Sequence, residues 1–92
     1  MKYIMLACTK ADMVKKVPII FPDFLTHVEV SNSMCASPEI KQFDSVIVSS
    51  AGFVSSLDLD VTCTGGSETL KLSANPEDAE IIKMYDYMHG LA

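Results

Sequence analysis

The sequence predicts an α+β fold: a small antiparallel sheet of four or five strands, with a C-terminal helix packed on one face and a short helix near residues 23–30. Residues 44–73 alternate between apolar and polar side chains, as the strands of an antiparallel meander do. Residues 75–90 carry a helix start, an apolar stripe and a helix stop. With 92 residues in all, we expect a single domain over residues 1–92, with a modest core.

The strand with the strongest pattern is 57–64, where an apolar residue alternates strictly with Asp or Thr. Gly65 and Gly66 follow, and glycine readily adopts the positive φ angles of a two-residue hairpin turn. Such a turn determines the register, which places Asp60 opposite Lys71 as a cross-strand charge pair. The other predicted pairs are Thr64 with Ser67, Thr62 with Thr69, Val61 with Leu70, and Leu59 with Leu72.

Residues 45–54 form the preceding strand, and Ser55 and Ser56 are the predicted turn after it. Gly52 inside this strand indicates a bulge or the close approach of another backbone. One face is predicted to be covered by a helix or by a second copy of the protein, because it is too apolar to lie in water. The predicted inner face consists of Val46, Val48, Ser50, Gly52 and Val54, and the other face of Ile47, Ser49, Ala51 and Phe53.

The N-terminal part of the chain predicts two more strands. Residues 2–9 are apolar on both faces, which indicates a central strand. Residues 17–21 resume as a strand, and Pro18 moves it toward an edge because proline cannot donate a ladder hydrogen bond. Ala11 and Asp12 are a plausible turn, so the two strands are expected to form a hairpin.

The middle of the chain, residues 23–42, contains residues that favour helix starts. Asp23 can cap the short helix over residues 23–30. Residues 32–42 have no regular pattern and predict an adaptable connection, although Ser37 and Pro38 are a good start for a one-turn helix.

The C-terminal helix is predicted over residues 76–89. Asn75 is the cap, Pro76 takes the first helical position, and Gly90 suits the residue after the helix. The stripe at helical spacing that should face the sheet consists of Ile81, Ile82, Tyr85 and Met88.

Composition limits the function and the compartment. Seven basic and twelve acidic residues leave a net charge of −5, which argues against binding to nucleic acid. Cys8, Cys35 and Cys63 are odd in number and have no CxxC spacing, so reduced thiols are expected rather than a disulfide framework. The apolar run of residues 3–8 is too short for a signal sequence or a membrane span. These features predict a cytoplasmic protein that does not bind membranes.

No catalytic or metal-binding constellation is recognisable in the sequence. His27 and His89 lack metal-ligand spacing, and Cys63 could meet His27 only through folding. Asp58 and Asp60 could serve acid–base chemistry or hold a cation, but a solvated strand face explains both. We therefore expect a protein that is not an enzyme, with no cofactor and no metal.

Small polar residues provide the strongest ligand signal. Glycine amides beside hydroxyl groups can cradle phosphate oxygens. Neither GxxxxGK[ST] nor GxGxxG is present, and ordinary turn chemistry is the competing interpretation. The candidate ligand-binding residues are Ser49, Ser50, Gly52, Thr64, Gly65, Gly66 and Ser67.

The segments IIFPDFLTH, VIVSSAGFV and CTGGSETLKLSANPEDAEII together resemble a family of small, uncharacterised proteins encoded by phages and prophages. The resemblance implies a compact accessory protein made in the cytoplasm of an infected bacterium. Proteins of this kind often block host defence by binding a defence protein or its nucleotide messenger. The resemblance implies no catalytic residues.

These observations predict a non-enzymatic counter-defence inhibitor that binds a host protein stoichiometrically. Phe53, Asp58 and Asp60 are the candidate partner-binding residues, together with the connection 32–42. One alternative is an oligomeric sponge that sequesters a nucleotide second messenger through its Ser/Gly-rich turns. Another is a structural or accessory phage protein. A homo-oligomer is expected, because a second copy could cover the face that carries Ile47 and Phe53.

Overall fold

A computed structural model describes residues 1–57 and 60–85 and confirms the α+β class. Four antiparallel strands form the main sheet in the order β2-β1-β3-β4, and two short strands form a second sheet. The strands are β1 (Lys2–Lys10), β2 (Met13–Phe21), β3 (Ser45–Leu57), β4 (Asp60–Thr64), β5 (Gly66–Ser67) and β6 (Leu72–Ser73). The helices are α1 (His27–Cys35), α2 (Pro38–Lys41) and α3 (Asp78–Tyr85).

Strand β1 is central and buried on both faces, as its apolar sequence predicts. On the face that we call the α1 face, Ile4 and Leu6 form a core with residues of α1 and α2. On the opposite face, the α3 face, Tyr3 and Met5 form a second core with Ile82 of α3. The sheet is therefore sandwiched between helices, and burial of both faces stabilises its central strand.

The turn predicted at Ala11 and Asp12 is confirmed. Both residues have positive φ angles, +50° and +67°, as a two-residue primed turn requires. The second strand starts at Met13, earlier than the predicted 17–21, and Pro18 lies in an edge strand as expected.

A β-bulge in β3 overturns the predicted division of its faces. Met5 pairs with Ser50 and Leu6 pairs with Val48, so Ser49 is an extra residue without a partner in β1. An extra residue reverses the inward and outward alternation on one side of the bulge. The α1 face therefore carries Val46, Val48, Ala51 and Phe53, and the α3 face carries Ile47, Ser50, Gly52 and Val54.

The predicted turn at Ser55 and Ser56 is wrong, because β3 continues through Leu57. Ser55 pairs with Thr62 instead, and their hydroxyl oxygens lie 2.7 Å apart across the ladder. Serine is compatible with a strand when its hydroxyl finds such a partner. Asp58 and Leu59, which the predicted strand 57–64 also includes, lie outside the described residues.

The predicted two-residue turn at Gly65 and Gly66 is also wrong. Only Gly65 has a positive φ angle, +71°, and Gly66 starts β5, where it pairs with Ser73 of β6. The chain thus leaves the main sheet after Thr64, and the hairpin turn comes at residues 68–71, where Lys71 has a φ of +57°.

The cross-strand pairs predicted from that turn are wrong as well, because Ser67 pairs with Leu72 rather than with Thr64. Val61 and Leu70 even contribute to different cores, on opposite faces of the sheet.

The helices follow the predicted order with shifted ends. The predicted cap at Asp23 is wrong, because the Thr26 hydroxyl accepts from the Glu29 N–H at 3.1 Å and caps α1. Helix α1 runs from His27 to Cys35, so it starts later than predicted and extends into the segment expected to lack a regular pattern. Helix α2 is the predicted single turn after Ser37. Helix α3 begins at Asp78 rather than at residue 76, and the end predicted for it, at residues 86–90, lies outside the described residues.

Candidate functional site

Two of the predicted partner-binding residues, Phe53 and Asp60, share one exposed face of the β3–β4 hairpin. Paired residues point to the same side of a sheet, and so do alternate residues of one strand. The pairs of Phe53 with Thr64 and Ser55 with Thr62 therefore project toward the α1 face, and so does Asp60. These side chains are exposed, although His27 at the start of α1 packs against Phe53. We call Phe53, Ser55, Asp60, Thr62 and Thr64 the hairpin face. Asp58, the third predicted residue, lies outside the described residues.

Phe53 packs against its neighbours yet still offers much of its surface to solvent, with 43% exposed. Its ring packs edge-on against the buried His27 ring, with centroids 5.9 Å apart and planes at 86°. On another side it meets Gly65, where an added Cβ would lie 3.0 Å from the Phe53 ring. An aromatic ring held in this way loses little conformational entropy on binding, which favours it as an interface anchor.

His27 supports this anchor from below. Its Nε2 donates a hydrogen bond to the Gly52 carbonyl at 2.9 Å, and its ring also packs edge-on against Phe21. The sequence around His27 contains no pattern that predicts this contact, because Phe21 and Phe53 reach the histidine ring only through the fold. Its position between Phe21 and Phe53 shows that it is a core residue.

Asp60 contributes an exposed carboxylate to the hairpin face. The pair predicted with Lys71 does not form, because Lys71 lies in the turn of the β5–β6 hairpin. Among residues 1–57 and 60–85, no side chain forms an ion pair with Asp60. Its negative charge is therefore available to a partner.

The candidate ligand-binding residues do not form one site. Ser49 donates to the Met5 carbonyl at 3.2 Å and accepts from Lys16, so its hydroxyl stabilises the bulge. Ser50 is buried and bonded to Asp78. Gly52 lies where a Cβ would come within 2.6 Å of the Thr64 carbonyl oxygen, which explains the glycine by close backbone approach.

Gly66 and Ser67 do line an open depression of about 420 Å³ beside the β5–β6 hairpin. The Ser67 hydroxyl is already used, since it accepts from the Leu70 N–H at 3.2 Å. Lys71 is the one basic residue among the six that line the depression, and Glu68 opposes its charge. The other lining residues are Leu72 and Ser73.

A buried polar cluster that the sequence did not reveal holds α3 against the sheet. Asp78 Oδ2 accepts hydrogen bonds from the Tyr3 hydroxyl at 2.5 Å, the Ser50 hydroxyl at 2.7 Å and the Asn75 N–H at 2.9 Å. The three-residue spacing from Asn75 to Asp78 is that of a capping box and could have indicated the last of these bonds. The bonds to Tyr3 and Ser50 link distant parts of the chain and had no local signal.

Burial raises the pKa of the Tyr3 hydroxyl far above its ordinary value, and its hydrogen bond to Asp78 raises that pKa further. Burial likewise raises the pKa of the Cys63 thiol, although the Tyr3 hydroxyl nearby lowers it in part. A thiol with a raised pKa has little thiolate at neutral pH and is a poor nucleophile. The cluster is thus suited to positioning α3 rather than to covalent chemistry.

Among the described residues, no three His, Cys, Asp or Glu side chains converge as a metal ion would require. All three cysteines are free. In the same part of the chain, no helix is long and apolar enough to cross a membrane.

No family model matches the chain, and no curated protein or solved structure matches it either.

Proposed function

We propose that the protein is a non-enzymatic binding protein that occupies the surface of another protein through its hairpin face. The observation that carries the proposal is Phe53, which packs against His27 and Gly65 yet is 43% exposed. Further along the same face lies Asp60, for which the described residues supply no ion pair. Aromatic anchors surrounded by polar groups are typical of binding hot spots. Following the resemblance to phage-encoded proteins, the target we propose is a host protein in the bacterial cytoplasm, and the outcome is stoichiometric inhibition of host defence.

The chemistry of the face indicates what this partner offers. Phe53 requires an apolar pocket. Asp60 lies four residues along β4 from Thr64, the residue paired with Phe53, so it favours a lysine or arginine at some distance from that pocket. Ser55, Thr62 and Thr64 add hydroxyl groups along two paired strands, and these can exchange hydrogen bonds with a polar rim. A net charge of −5 also favours encounter with a basic surface.

Affinity capture from host lysate, followed by titration against the captured protein, tests the proposal. Phe53→Ala should weaken the complex at least ~10-fold because it removes the anchor. Asp60→Lys should slow association and reduce its dependence on salt. Phe24→Ala is the matched control, since Phe24 is also exposed but lies in the loop before α1. A captured protein that binds the Phe53→Ala variant as tightly as the wild type would rule out the hairpin face.

A nucleotide signal is the second candidate, because Gly66, Ser67 and Lys71 do line one depression. Calorimetric titration with cyclic nucleotides and cyclic ADP-ribose isomers tests this candidate directly. Binding that Lys71→Ala abolishes and Lys41→Ala preserves would favour it over protein binding. Flat titrations with all of these ligands would eliminate it.

A further inference from the structure

Strand β2 presents a long free edge. All nine of its residues pair with β1 on one side, from Met13 with Lys10 to Phe21 with Lys2, without a break in register. On its other side, no described residue pairs with it, whereas the opposite edge of the sheet, β4, has only five residues. The unpaired N–H and C=O groups of such an edge are a template for another strand.

We propose that β2 pairs antiparallel with β2 of a second copy, so that two four-stranded sheets become one continuous sheet. The register that pairs all nine residues is centred on Val17, which then lies on a two-fold axis. In this register, Met13 faces Phe21 of the second copy and Val14 faces Ile20. In a two-fold interface the same surface of each copy meets itself, so every contact occurs twice and the surface must be complementary to itself.

The apolar side chains of this edge support that register. Val14 and Ile20 both project toward the α3 face, because they pair with Thr9 and Tyr3 of β1. Val14 is 60% exposed and Ile20 is 40% exposed. Pairing across the axis would bring Val14 of each copy into contact with Ile20 of the other copy, so this contact would occur twice. Cross-strand contact between β-branched residues stabilises an antiparallel pair.

The lysines distinguish this register from its neighbours. Centred on Val17, the ladder puts Lys15 opposite Ile19 and Lys16 opposite Pro18, so no lysine directly faces a lysine. Moving the centre to Lys16 would place two ammonium groups opposite each other, and like charges there are destabilising. Moving it to Pro18 would put two residues without N–H groups together.

The charge of Lys16 is compensated on the same face. Its Nζ is drawn back over the sheet, 3.2 Å from the Ser49 hydroxyl and 3.9 Å from a carboxylate oxygen of Glu77. Lysine usually protects an edge by extending outward, but Lys16 does not do so here. The two Lys16 residues would be diagonal neighbours across the axis, and the Glu77 carboxylate near each one reduces the repulsion between them.

Sedimentation velocity over a wide range of concentrations tests the proposal. The wild-type protein should show a reversible monomer–dimer equilibrium, weakened by the donor that Pro18 lacks. Val14→Glu and Ile20→Lys should each weaken the dimer at least ~10-fold, because a charge would face an apolar side chain. The double variant V14E/I20K should recover much of the loss, since each new glutamate faces a new lysine of the second copy.

Met84→Glu is the control, because Met84 is 63% exposed but lies in α3 rather than in β2. Circular dichroism confirms that each variant is folded. A wild-type chain that remains monomeric up to ~1 mM would overturn the proposal. A dimer that both single variants leave unchanged would overturn it as well, as would a folded double variant that recovers nothing.

A cysteine at the axis reports the register independently. Directly opposed residues in an antiparallel pair have Cα atoms about 4.5–5.5 Å apart, within reach of a disulfide. Val17→Cys should therefore give a covalent dimer under oxidised glutathione, and Met84→Cys should not. A dimer in solution that Val17→Cys fails to crosslink would place the interface elsewhere.

Discussion

Removing the Asp78 carboxylate should destabilise the protein more than most single substitutions. Tyr3 and Ser50 donate to Asp78 Oδ2 at 2.5 Å and 2.7 Å, and each of the three side chains is at most 1% exposed. Water therefore cannot replace the acceptor when Asp78→Ala removes it. Both hydroxyl groups would remain buried without a partner, and the first turn of α3 would lose its attachment to β1 and β3.

The magnitude follows from the number of donors. A buried donor without a partner costs about 1–3 kcal/mol, and a hydrogen bond to a charged group contributes about 1.5–3 kcal/mol. With two buried donors, and a smaller contribution from the partly buried Asn75 N–H, we expect Asp78→Ala to lower the free energy of unfolding by about 3–5 kcal/mol. A domain of this length has about 5–14 kcal/mol in total, so the variant should lose at least about a fifth of its stability.

Urea unfolding followed by circular dichroism measures this loss, with Glu80→Ala as the control. Glu80 is an exposed acidic residue of the same helix, and its removal should cost less than about 0.5 kcal/mol. The decisive comparison repeats Asp78→Ala in a Tyr3→Phe/Ser50→Ala background. No buried hydroxyl donor remains there, so the same substitution should cost much less. A cost below about 1 kcal/mol in the wild type, or an equal cost in both backgrounds, would refute the reasoning.

Three further predictions concern pH and backbone geometry. The folded protein keeps the Tyr3 hydroxyl protonated, whereas the unfolded chain releases that proton near pH 10. The contribution of Tyr3 to the free energy of unfolding is therefore complete below pH 10, and above pH 10 it falls by up to about 1.4 kcal/mol per pH unit. Tyr3→Phe should make this alkaline decline shallower in urea titrations. In thermal unfolding, the Ala11→Gly variant should be more stable than the Ala36→Gly variant by about 1 kcal/mol or more. Glycine relieves the positive φ of +50° at Ala11, whereas φ is −87° at Ala36 and alanine is not strained there. Gly52→Ala should cost about 1–3 kcal/mol in urea unfolding, because its Cβ would meet the Thr64 carbonyl oxygen at 2.6 Å.

Each of these predictions has a control and a contradicting result. For pH, parallel alkaline profiles of the wild type and Tyr3→Phe would show that the tyrosine proton is not responsible. For the turn, the reverse order of the two alanine variants would contradict the strain assigned to a left-handed alanine. For Gly52→Ala, the control is Ser55→Ala in the same strand, which removes only an exposed hydroxyl bond. Equal costs for these two variants would contradict the close backbone approach.

The two proposed interfaces lie at opposite edges of the sheet, since β2 and β4 are its outer strands. Pairing through β2 would therefore leave the hairpin face free on both copies. A dimer would then present two Phe53 anchors, and a target with two copies of the matching pocket would bind more tightly than either site alone predicts. A single dimer-breaking variant such as Val14→Glu separates this contribution from the affinity of one hairpin face.

Local sequence determined much of the architecture. The doubly apolar strand β1 had to be central, because only there are both of its faces buried. The turn at Ala11 and Asp12 and the single turn of α2 follow from residues adjacent in the chain. The alternation correctly predicted strands β3 and β4 and placed Phe53 and Asp60 on one face, but it wrongly predicted a strand through residues 68–71, which form a turn.

Tertiary structure decided the registers and the polar cluster. The extra residue at Ser49 is visible only against its partner β1, and it exchanges the faces of β3. Gly65 and Gly66 would suit a tight hairpin as well as the observed corner, and the choice depends on Leu70 and Leu72 packing into the α1-face core. The bonds of Asp78 to Tyr3 and Ser50 span 75 and 28 positions. Periodicity reports which side of an element is buried, but which strands meet, and in what register, depends on packing between residues far apart in the chain.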